Sequence, residues 1–594
     1  MDDRKAGTPS RAKSLADDVA SARDTSHAPA RGQRASFGNI EEVTASPTLG
    51  TTTGTCCENL DEYVPTSRRC HSGFEQEGAS KPMGDVVVIG PERLSLGDVI
   101  AVARHGARVE IAAGALEAIA RSREHVERLA ASGEPVYGVS TGFGALATRY
   151  IEPPLRRRLQ RSLVRSHAAG SGPSVEAEVV RALMLLRLST LAAGYSGVRT
   201  ETAQAYAAML NAELTPDVPE YGSLGCSGDL APLAHCALAV MGEGTVVDAA
   251  GRRMCAAEAL AHAGLAPIEL TEKEGLALIN GTDGMCGMLV LAIADLHALV
   301  RVADLAAAMS IEALLGTDCV MAADLQALRP HPGQAASARN MTRLLEGSAI
   351  MASHRTGDAR VQDAYSLRCA PQVAGAVRDT LAHAETVALR ELHSVIDNPV
   401  VLPDGRTESN GNFHGAPVAY VLDFLAIAAA DLASIAERRT DRMLDVHRSG
   451  GLPPFLADDP GVDSGLMIAQ YTQASIVSEM KRLAAPASVD SIPSSAMQED
   501  HVSMGWSAGR KLRRSVDGLA RVLAIEVLTA ARALDLRAPL TPGPGTAAAL
   551  AAVRDVVPGV GPDRYLAPEI EAAYELVAGG GLVAEVERAI GELE

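Results

Sequence analysis

Long apolar helical segments are the feature that most limits what this chain can fold into. They dominate the sequence from about residue 285 onward, and residues 418–443 form the clearest example, with Leu425 and Leu432 seven residues apart. A continuous helix of that length is about 40 Å long. Such a helix is stable when other helices cover its apolar face, so the pattern predicts a mainly α protein with a long-helix bundle.

Composition and charge narrow the class of protein further. Hydrophobic residues make up 47% of the 594 residues and aromatic residues only 3%, so core packing depends on Ala, Leu and Val. The net charge of −19 argues against nucleic acid or an anionic membrane as a partner. We expect no segment to cross a bilayer, because the longest apolar runs contain Asp or Arg, and no apolar signal segment follows Met1. These features predict a cytoplasmic protein.

The chain divides into four predicted regions. Residues 1–83 are polar and rich in Ser, Thr, Arg and Gly, which predicts a flexible tail. Residues 84–284 form a smaller mixed N-terminal region. Residues 285–540 form the central long-helix bundle, and residues 541–594 return to short helices after a Pro-Gly-Pro-Gly string.

Local signals place the first elements of the ordered region. Residues 86–89 predict a short strand, and Ser95 starts a helix because Asp98 completes a capping pattern. Further helices are predicted over residues 115–131 and 175–193 from their apolar spacing.

Metal and disulfide chemistry is not indicated. The nine cysteines form an odd set without framework spacing, and the sequence contains neither Cys-x-x-Cys nor His-Glu-x-x-His. We expect reduced thiols and no dedicated metal site.

The segment 221–235 carries the most specific chemistry, in the string Cys226-Ser227-Gly228-Asp229. Gly228 has no Cβ, so its backbone can fold back until its amide nitrogen reaches the carbonyl of Cys226 and closes a five-membered ring. Loss of water from that ring and from the Ser227 side chain leaves an exocyclic methylidene, which is a strong electrophile. An isolated Cys-Ser-Gly is more often an ordinary turn. Apolar residues resume after Asp229, which predicts a buried helix.

Two other motifs are incomplete. A nucleophile elbow needs Gly-x-Ser-x-Gly, but Asp229 occupies the last position of that pattern. Gly142, Gly144 and Ala147 match a relaxed dinucleotide fingerprint, but no alternating strand–helix series follows them.

The segment around Ser227 resembles the prosthetic-group loop of the aromatic amino acid ammonia-lyases, which form 4-methylideneimidazole-5-one (MIO) from Ala-Ser-Gly. Cys226 stands where most members have Ala, and only its backbone enters the ring. The similarity covers roughly residues 85–540 with at least six motifs in the family's order. It implies a fumarase/aspartase-like helical fold, MIO made from Cys226-Ser227-Gly228 without an external cofactor, and a homotetramer whose active sites draw on more than one subunit.

The resemblance also implies roles for individual side chains. Tyr137 is the base that removes the β-proton, in a loop that includes Gly144, and we expect helix N-termini and neighbouring cations to lower its pKa. Arg368 is a bidentate partner for the α-carboxylate. Gly144 and Asp229 support the site. The side chains implied to bind substrate are His167, Asn280, Gln362, Tyr365, Arg368, Phe413, Glu479 and Gln498.

Two strings point to the substrate within the family. Ser166-His167 and the segment 498–501, Gln-Glu-Asp-His, are similar to those of members that act on histidine. The His167 imidazole can hydrogen-bond to a ring nitrogen of histidine. The resemblance therefore implies elimination of ammonia from L-histidine to give trans-urocanate.

Three alternatives remain open at this point. The first is a tyrosine or phenylalanine ammonia-lyase, or a 2,3-aminomutase of the same family. The second is a non-catalytic oligomeric scaffold that retains the fold. The third is a helical lyase of the fumarase type, which has no need of Cys226-Ser227-Gly228.

Overall fold

The structure, a computed structural model, describes residues 86–90, 93–358 and 360–594. The predicted tail, residues 1–83, lies outside the described residues. The described residues all belong to one compact unit. The boundaries expected at residues 284 and 540 therefore remain predictions.

The described residues contain twenty α-helices in chain order: α1 (Leu96–His105), α2 (Ala113–Ser132), α3 (Arg156–His167), α4 (Ala177–Ala192), α5 (Thr200–Asn211), α6 (Leu230–Val240), α7 (Ala256–His262), α8 (Glu274–Ala277), α9 (Asp283–Ala313), α10 (Ala323–Ala327), α11 (Pro332–Leu345), α12 (Ala349–Ser353), α13 (Tyr365–Arg368), α14 (Ala370–Leu392), α15 (Ala416–Leu444), α16 (Met467–Leu483), α17 (Gly505–Asp535), α18 (Pro544–Val556), α19 (Leu566–Ala578) and α20 (Gly581–Ile590).

Strands are short and confined to small sheets. They are β1 (Val86–Ile89), β2 (Arg108–Ile111), β3 (Ser171–Ser174), β4 (Thr215–Pro216), β5 (Pro219–Tyr221), β6 (Thr245–Val247), β7 (Arg253–Cys255), β8 (Val400–Val401) and β9 (Thr407–Glu408). β1 pairs with β2 in parallel, whereas β3–β5, β4–β6–β7 and β8–β9 are antiparallel. Most of the strands lie in the N-terminal half, as the mixed region predicted.

Three long helices form the centre of the molecule. α9, α15 and α17 pack against one another, and α4, α11, α14, α16 and α19 surround them. Most of their apolar residues are buried, including Leu425 and Leu432 of α15. The predicted fold class, a mainly α long-helix bundle, is confirmed.

The predicted local elements are also confirmed. Residues 86–89 form β1, and residues 418–443 lie within α15. The Ser95 hydroxyl accepts a hydrogen bond from the Asp98 amide at 3.1 Å, and the Asp98 carboxylate accepts one from the Ser95 amide at 2.8 Å. This reciprocal pair is the capping box that starts α1.

The expectation that no segment could span a bilayer needs correction. By length and composition, α9 and α15 are both long and apolar enough to cross a membrane. Most residues of both helices are buried against other helices of the bundle. That burial is the behaviour of core helices, which pass the same length and composition test.

Candidate active site

The segment around Ser227 is fixed on both sides. Upstream, the Met504 amide donates a hydrogen bond to the Leu224 carbonyl at 2.9 Å, and the Ser503 hydroxyl donates one to the Gly225 carbonyl at 2.9 Å. Downstream, the Asp229 amide donates to the Gly281 carbonyl at 2.7 Å. Only residues 226–228 lie between these two attachments.

Gly228 occupies a position that only glycine fits. Its φ is +77°, in the left-handed region, and a Cβ added there would overlap the backbone of Gly281. The backbone of residues 226–228 is therefore compact and closely packed. This arrangement suits the proposed ring closure, which needs the Gly228 nitrogen near the Cys226 carbonyl.

Asp229 anchors the downstream side from a fully buried position. Its carboxyl group accepts hydrogen bonds from the Met285 amide and from the Ser223 hydroxyl, each at 2.8 Å. Burial raises the pKa of Asp229 to about 7, and these hydrogen bonds only partly oppose that rise. The side chain thus connects the segment around Ser227 to the start of α9.

Glu499 is the acidic side chain that reaches this segment, and sequence analysis did not select it. Its carboxylate accepts hydrogen bonds from Ser227 Oγ at 3.4 Å and from Ser494 Oγ at 3.0 Å. The predicted neighbour, Gln498, is exposed. The signal that could have found Glu499 is the histidine-type string at residues 498–501, which contains it.

Tyr137 lies close enough to Glu499 to feel its charge. Its hydroxyl accepts a hydrogen bond from the Gly144 amide at 3.4 Å, and its ring meets Phe143 edge-on at 6.2 Å. The pKa of Tyr137 is raised, first by burial and further by the charge of Glu499, while the Gly144 hydrogen bond lowers it. The expectation of a lowered pKa is therefore wrong for the single chain, because burial disfavours the charged phenolate and the charge that folding brings to the phenol is negative.

His167 ends α3 with a defined ring orientation. Its Nδ1 lies 2.9 Å from the Leu163 carbonyl oxygen, which can only accept, so Nδ1 carries the hydrogen and Nε2 is left as an acceptor. Burial lowers the pKa of His167, although the charge of Glu499 opposes that shift. A neutral imidazole beside Glu499 is the result.

Two further predicted residues lie at this end of the bundle. Asn280 is almost fully buried; its amide nitrogen donates to the Asn398 carbonyl at 3.0 Å, whereas its side-chain oxygen has no partner among the described residues. Phe413 is half-buried and comes two residues before Gly415, the N-cap of α15. Gly415 is closely approached by the Met285 side chain near the start of α9.

The segment containing Gln362, Tyr365 and Arg368 lies elsewhere in the chain. Asp363 accepts a hydrogen bond from the Thr317 amide at 2.7 Å, just beyond the C-terminal end of α9. Gly281 lies just before the N-terminal end of that 31-residue helix, which corresponds to about 45 Å. One chain therefore does not bring this segment to Ser227.

Two of the predicted side chains in this distant segment, Gln362 and Tyr365, are exposed. Tyr365 is 72% exposed, Gln362 is exposed, and the Arg368 guanidinium stacks 4.6 Å above the Tyr365 ring. Glu479 is likewise exposed, on α16, where it pairs with Arg482. Among the described residues, no group of three or more His, Cys, Asp or Glu side chains is arranged to hold a metal ion.

Comparison with known proteins decides the family. The model of the aromatic amino acid lyase family matches residues 94–555, which is most of the chain. The chain belongs to the aromatic amino acid lyase family. Histidine ammonia-lyase of Streptomyces avermitilis is 66% identical over 508 residues, covering 85% of this chain and 99% of that protein. Histidine ammonia-lyase of Sorangium cellulosum is 52% identical over 509 residues, covering 84% of this chain and 99% of that protein.

Solved structures of this lyase family share the fold. Tyrosine aminomutase of Streptomyces globisporus is 38% identical, with a TM-score of 0.81, and covers 86% of this chain and 100% of that one. Histidine ammonia-lyase of Trypanosoma cruzi is 37% identical, with a TM-score of 0.79; the match covers 86% of this chain and 96% of that one. These relatives identify a carbon–nitrogen lyase.

Proposed function

We propose that this lyase eliminates ammonia from L-histidine to give trans-urocanate. The observations that carry the proposal are the His167 ring, whose Nε2 is left as an acceptor by the Nδ1 contact with Leu163, and Glu499, which is hydrogen-bonded to Ser227. A hydrogen-bond acceptor and a carboxylate together complement the N–H groups of an imidazole ring. The identity of 66% with a histidine ammonia-lyase over most of the chain points to the same substrate.

We infer that Cys226, Ser227 and Gly228 form MIO. The close packing of Gly228 against Gly281 and the attachments of Gly225 and Asp229 fit such a ring closure. Once formed, the group supplies an electrophilic carbon to the amine of the substrate.

The surrounding side chains bind and orient the substrate in this proposal. His167 Nε2 accepts the imidazole N–H of histidine, and Glu499 stabilises positive charge on that ring. The unpaired, buried side-chain oxygen of Asn280 is an acceptor for the substrate amino group. A buried acceptor without a partner is rare in native proteins, which favours a ligand contact there.

Tyr137 remains the proposed base for the β-proton. Its raised pKa keeps the phenol protonated in the single chain. A cation must therefore approach before Tyr137 can release its proton, and the Arg368 guanidinium of a second copy or the substrate ammonium group can provide that charge.

We propose a homotetramer whose active sites combine residues of different copies. Arg368 lies at the end of α9 remote from Ser227, so the carboxylate contact has to come from a second copy. α15 also exposes Tyr420, Phe424 and Ile427 at 50%, 45% and 45%, at helical spacing along one face. An apolar stripe of this kind is suited to another copy of the chain. L-Histidine and the chain itself are thus the proposed partners, in the cytoplasm.

The tyrosine aminomutase reaction is the second candidate, because its solved structures overlay with a TM-score of 0.81. That fold similarity does not decide the substrate, since the histidine ammonia-lyase structure gives 0.79. The side chain at position 167 distinguishes the two candidate substrates. An imidazole there can pair with a substrate ring nitrogen, which tyrosine does not have.

Incubation with single amino acids tests the proposal. We expect near-ultraviolet absorbance of urocanate from histidine, and neither a cinnamate nor a β-amino acid from tyrosine or phenylalanine. Intact mass should show a chain lighter by two water molecules. Ser227→Ala should keep its fold by circular dichroism, lose activity and show the full mass of its substituted sequence, with no loss of water. Turnover of histidine by that variant would contradict the proposed chemistry.

A further inference from the structure

A fully buried ion pair connects loops that carry proposed site residues. Lys273 Nζ lies 2.8 Å from Asp397 Oδ2, and neither side chain has any exposed surface. Taking two charges out of water is costly, and their mutual attraction does not always offset that cost, so the pair is weak evidence for stability by itself. What each partner contacts therefore decides its role.

Lys273 holds the loop that carries Tyr137. Its amide donates a hydrogen bond to the Gly138 carbonyl at 3.1 Å. A Cβ added to Gly138 would lie 3.2 Å from Lys273 Cδ, so the lysine stem packs against this glycine. Lys273 itself has a φ of +74°, a left-handed conformation that a residue with a side chain seldom adopts unless its surroundings hold it there. Backbone and side chain of Lys273 thus both fix the residue that follows Tyr137.

Asp397 holds the segment that binds Asn280. Its Oδ1 accepts a hydrogen bond from the Asn398 amide at 2.7 Å. The Asn398 carbonyl accepts the Asn280 side-chain N–H at 3.0 Å, and the Asn280 side-chain oxygen is left without a partner among the described residues. Asn410, on the loop that leads to Phe413, donates from its amide to Asn398 Oδ1 at 2.9 Å and from its side chain to the Asp397 carbonyl at 3.0 Å.

We propose that the buried Lys273–Asp397 pair positions the groups that carry out the elimination. It sets the distance between Tyr137, the proposed base, and Asn280, the proposed acceptor for the substrate amine. The inference rests on the proposed function and extends it, because the β-proton and the amino group are on adjacent carbon atoms of the substrate. Their two protein partners then need a fixed spacing. Lys273 and Asp397 are fully buried, so they act through these residues rather than on the substrate.

A double variant separates positioning from stability. Lys273→Met keeps an unbranched side chain and removes the charge, and Asp397→Asn keeps an oxygen that can accept from the Asn398 amide. Either change alone leaves one buried charge without its partner and destabilises the fold. The double variant Lys273→Met/Asp397→Asn leaves neither charge, so we expect it to fold like the parent by circular dichroism.

Asp304→Asn is the matched control. Asp304 is also fully buried and pairs with Arg378 Nη2 at 2.6 Å. It lies on α9, about 30 Å along the helix from its N-terminal end, which is the end near Ser227. This variant therefore breaks a buried ion pair of the same kind away from Tyr137 and Asn280.

Hydrogen exchange measures the connection between the loops without any turnover. The amide at position 273 and the Asn410 amide report on the two sides of the pair, through their hydrogen bonds to Gly138 and Asn398. We expect both amides to exchange about 10-fold faster in the double variant than in the parent, the effect of about one lost hydrogen bond. Asp304→Asn should leave both rates unchanged. Equal exchange in the double variant and the parent overturns the proposal.

Turnover of histidine tests the positioning role. The kcat is expressed per folded molecule that has lost two waters, so that incomplete folding or cyclisation does not lower it. We expect a decrease of about 10- to 100-fold in the double variant, because the base and the amine acceptor no longer have a fixed spacing. Histidine deuterated at the β-carbon should show an isotope effect no smaller than in the parent, since proton removal is the step that slows. Asp304→Asn should keep the parent kcat.

The role of the pair and the proposed function fail differently. If the parent converts histidine and the double variant has the parent kcat, only the role of the pair is wrong. The same holds if its lower kcat comes with a smaller isotope effect, or if it fails to fold, because the pair then serves another step or folding alone. If the parent retains its full mass and leaves histidine unchanged, the proposed function is wrong and the role of the pair is lost with it.

Discussion

His167 is the residue whose replacement we expect to separate histidine chemistry from general lyase chemistry. We expect His167→Leu to lower kcat/KM for histidine by about 10- to 100-fold, because a substrate N–H loses its acceptor in a buried site. Steady-state assays with histidine measure this. His262→Leu is the matched control, since His262 is exposed on α7 and should leave the kinetics unchanged. Equal kcat/KM for parent and His167→Leu would contradict this role.

Asp229 makes a pH-dependent contribution to stability with a defined sign. Its pKa in the folded protein is about 7 because the group is buried, whereas an aspartate in an unfolded chain titrates near about 4. Between these values the folded state binds more protons than the unfolded state. The free energy of unfolding contributed by Asp229 therefore falls as pH rises through this window.

Asp229→Asn removes that titration while keeping the local contacts. The Asn oxygen can accept from the Met285 amide, and its NH₂ group can donate to Ser223. We expect the variant to gain stability relative to the parent as pH rises from about 4 to about 7, in urea unfolding at fixed protein concentration. Asp248→Asn is the control of opposite sign, because hydrogen bonds from Arg252 lower the pKa of Asp248. Parallel stability curves for Asp229→Asn and the parent would refute this assignment.

The residues just before α17 hold the segment around Ser227 through its backbone carbonyls. Ser503, which is 3% exposed, donates to the Gly225 carbonyl and so fixes the upstream side of the segment. We expect Ser503→Ala to slow ring closure by about 5-fold, the equivalent of about 1 kcal/mol for one lost hydrogen bond. Intact mass, followed over time after refolding, gives the fraction lighter by two waters.

A second serine, on α17 itself, provides the matched control. Ser507 lies on α17 but is exposed, so Ser507→Ala should cyclise at the parent rate. If Ser503→Ala and Ser507→Ala lost the two waters at the same rate, the Ser503 hydrogen bond would have no part in ring closure.

The elements that sequence predicted are those with strong local patterns. β1, α1 and α15 followed from β-branched residues, a capping box and apolar spacing. Such patterns could not predict whether Gln498 or Glu499 faces Ser227. Ala496 and Met497 just before them have φ of +53° and +68°. Left-handed backbone there redirects the chain, so the side chain that faces Ser227 depends on a conformation no periodicity encodes.

The direction of the Tyr137 pKa shift escaped prediction for a different reason. It depends on Glu499, which folding brings from a distant loop, and on burial of the phenol. Neither is encoded near position 137. Glu479 shows the same difficulty: it lies between buried Val477 and Met480 on α16, yet its own side chain is exposed.

The whole molecule imposes a geometric condition on catalysis. Ser227 and Arg368 lie near opposite ends of α9, which is about 45 Å long. If both act on one substrate, they must come from different copies of the chain. An assembly that mixes two inactive variants can then contain sites in which both residues are intact.

Co-expression of Ser227→Ala with Arg368→Ala tests this condition. Each variant alone should have little activity, because one lacks the electrophile and the other lacks the carboxylate partner. We expect hybrid assemblies to regain histidine turnover, since some sites combine Ser227 from one copy with Arg368 from another. Two separately purified variants, combined without subunit exchange, are the matched control and should stay inactive. Hybrids no more active than that control would remove Arg368 from the proposed site, because the length of α9 keeps Ser227 and Arg368 apart within one chain.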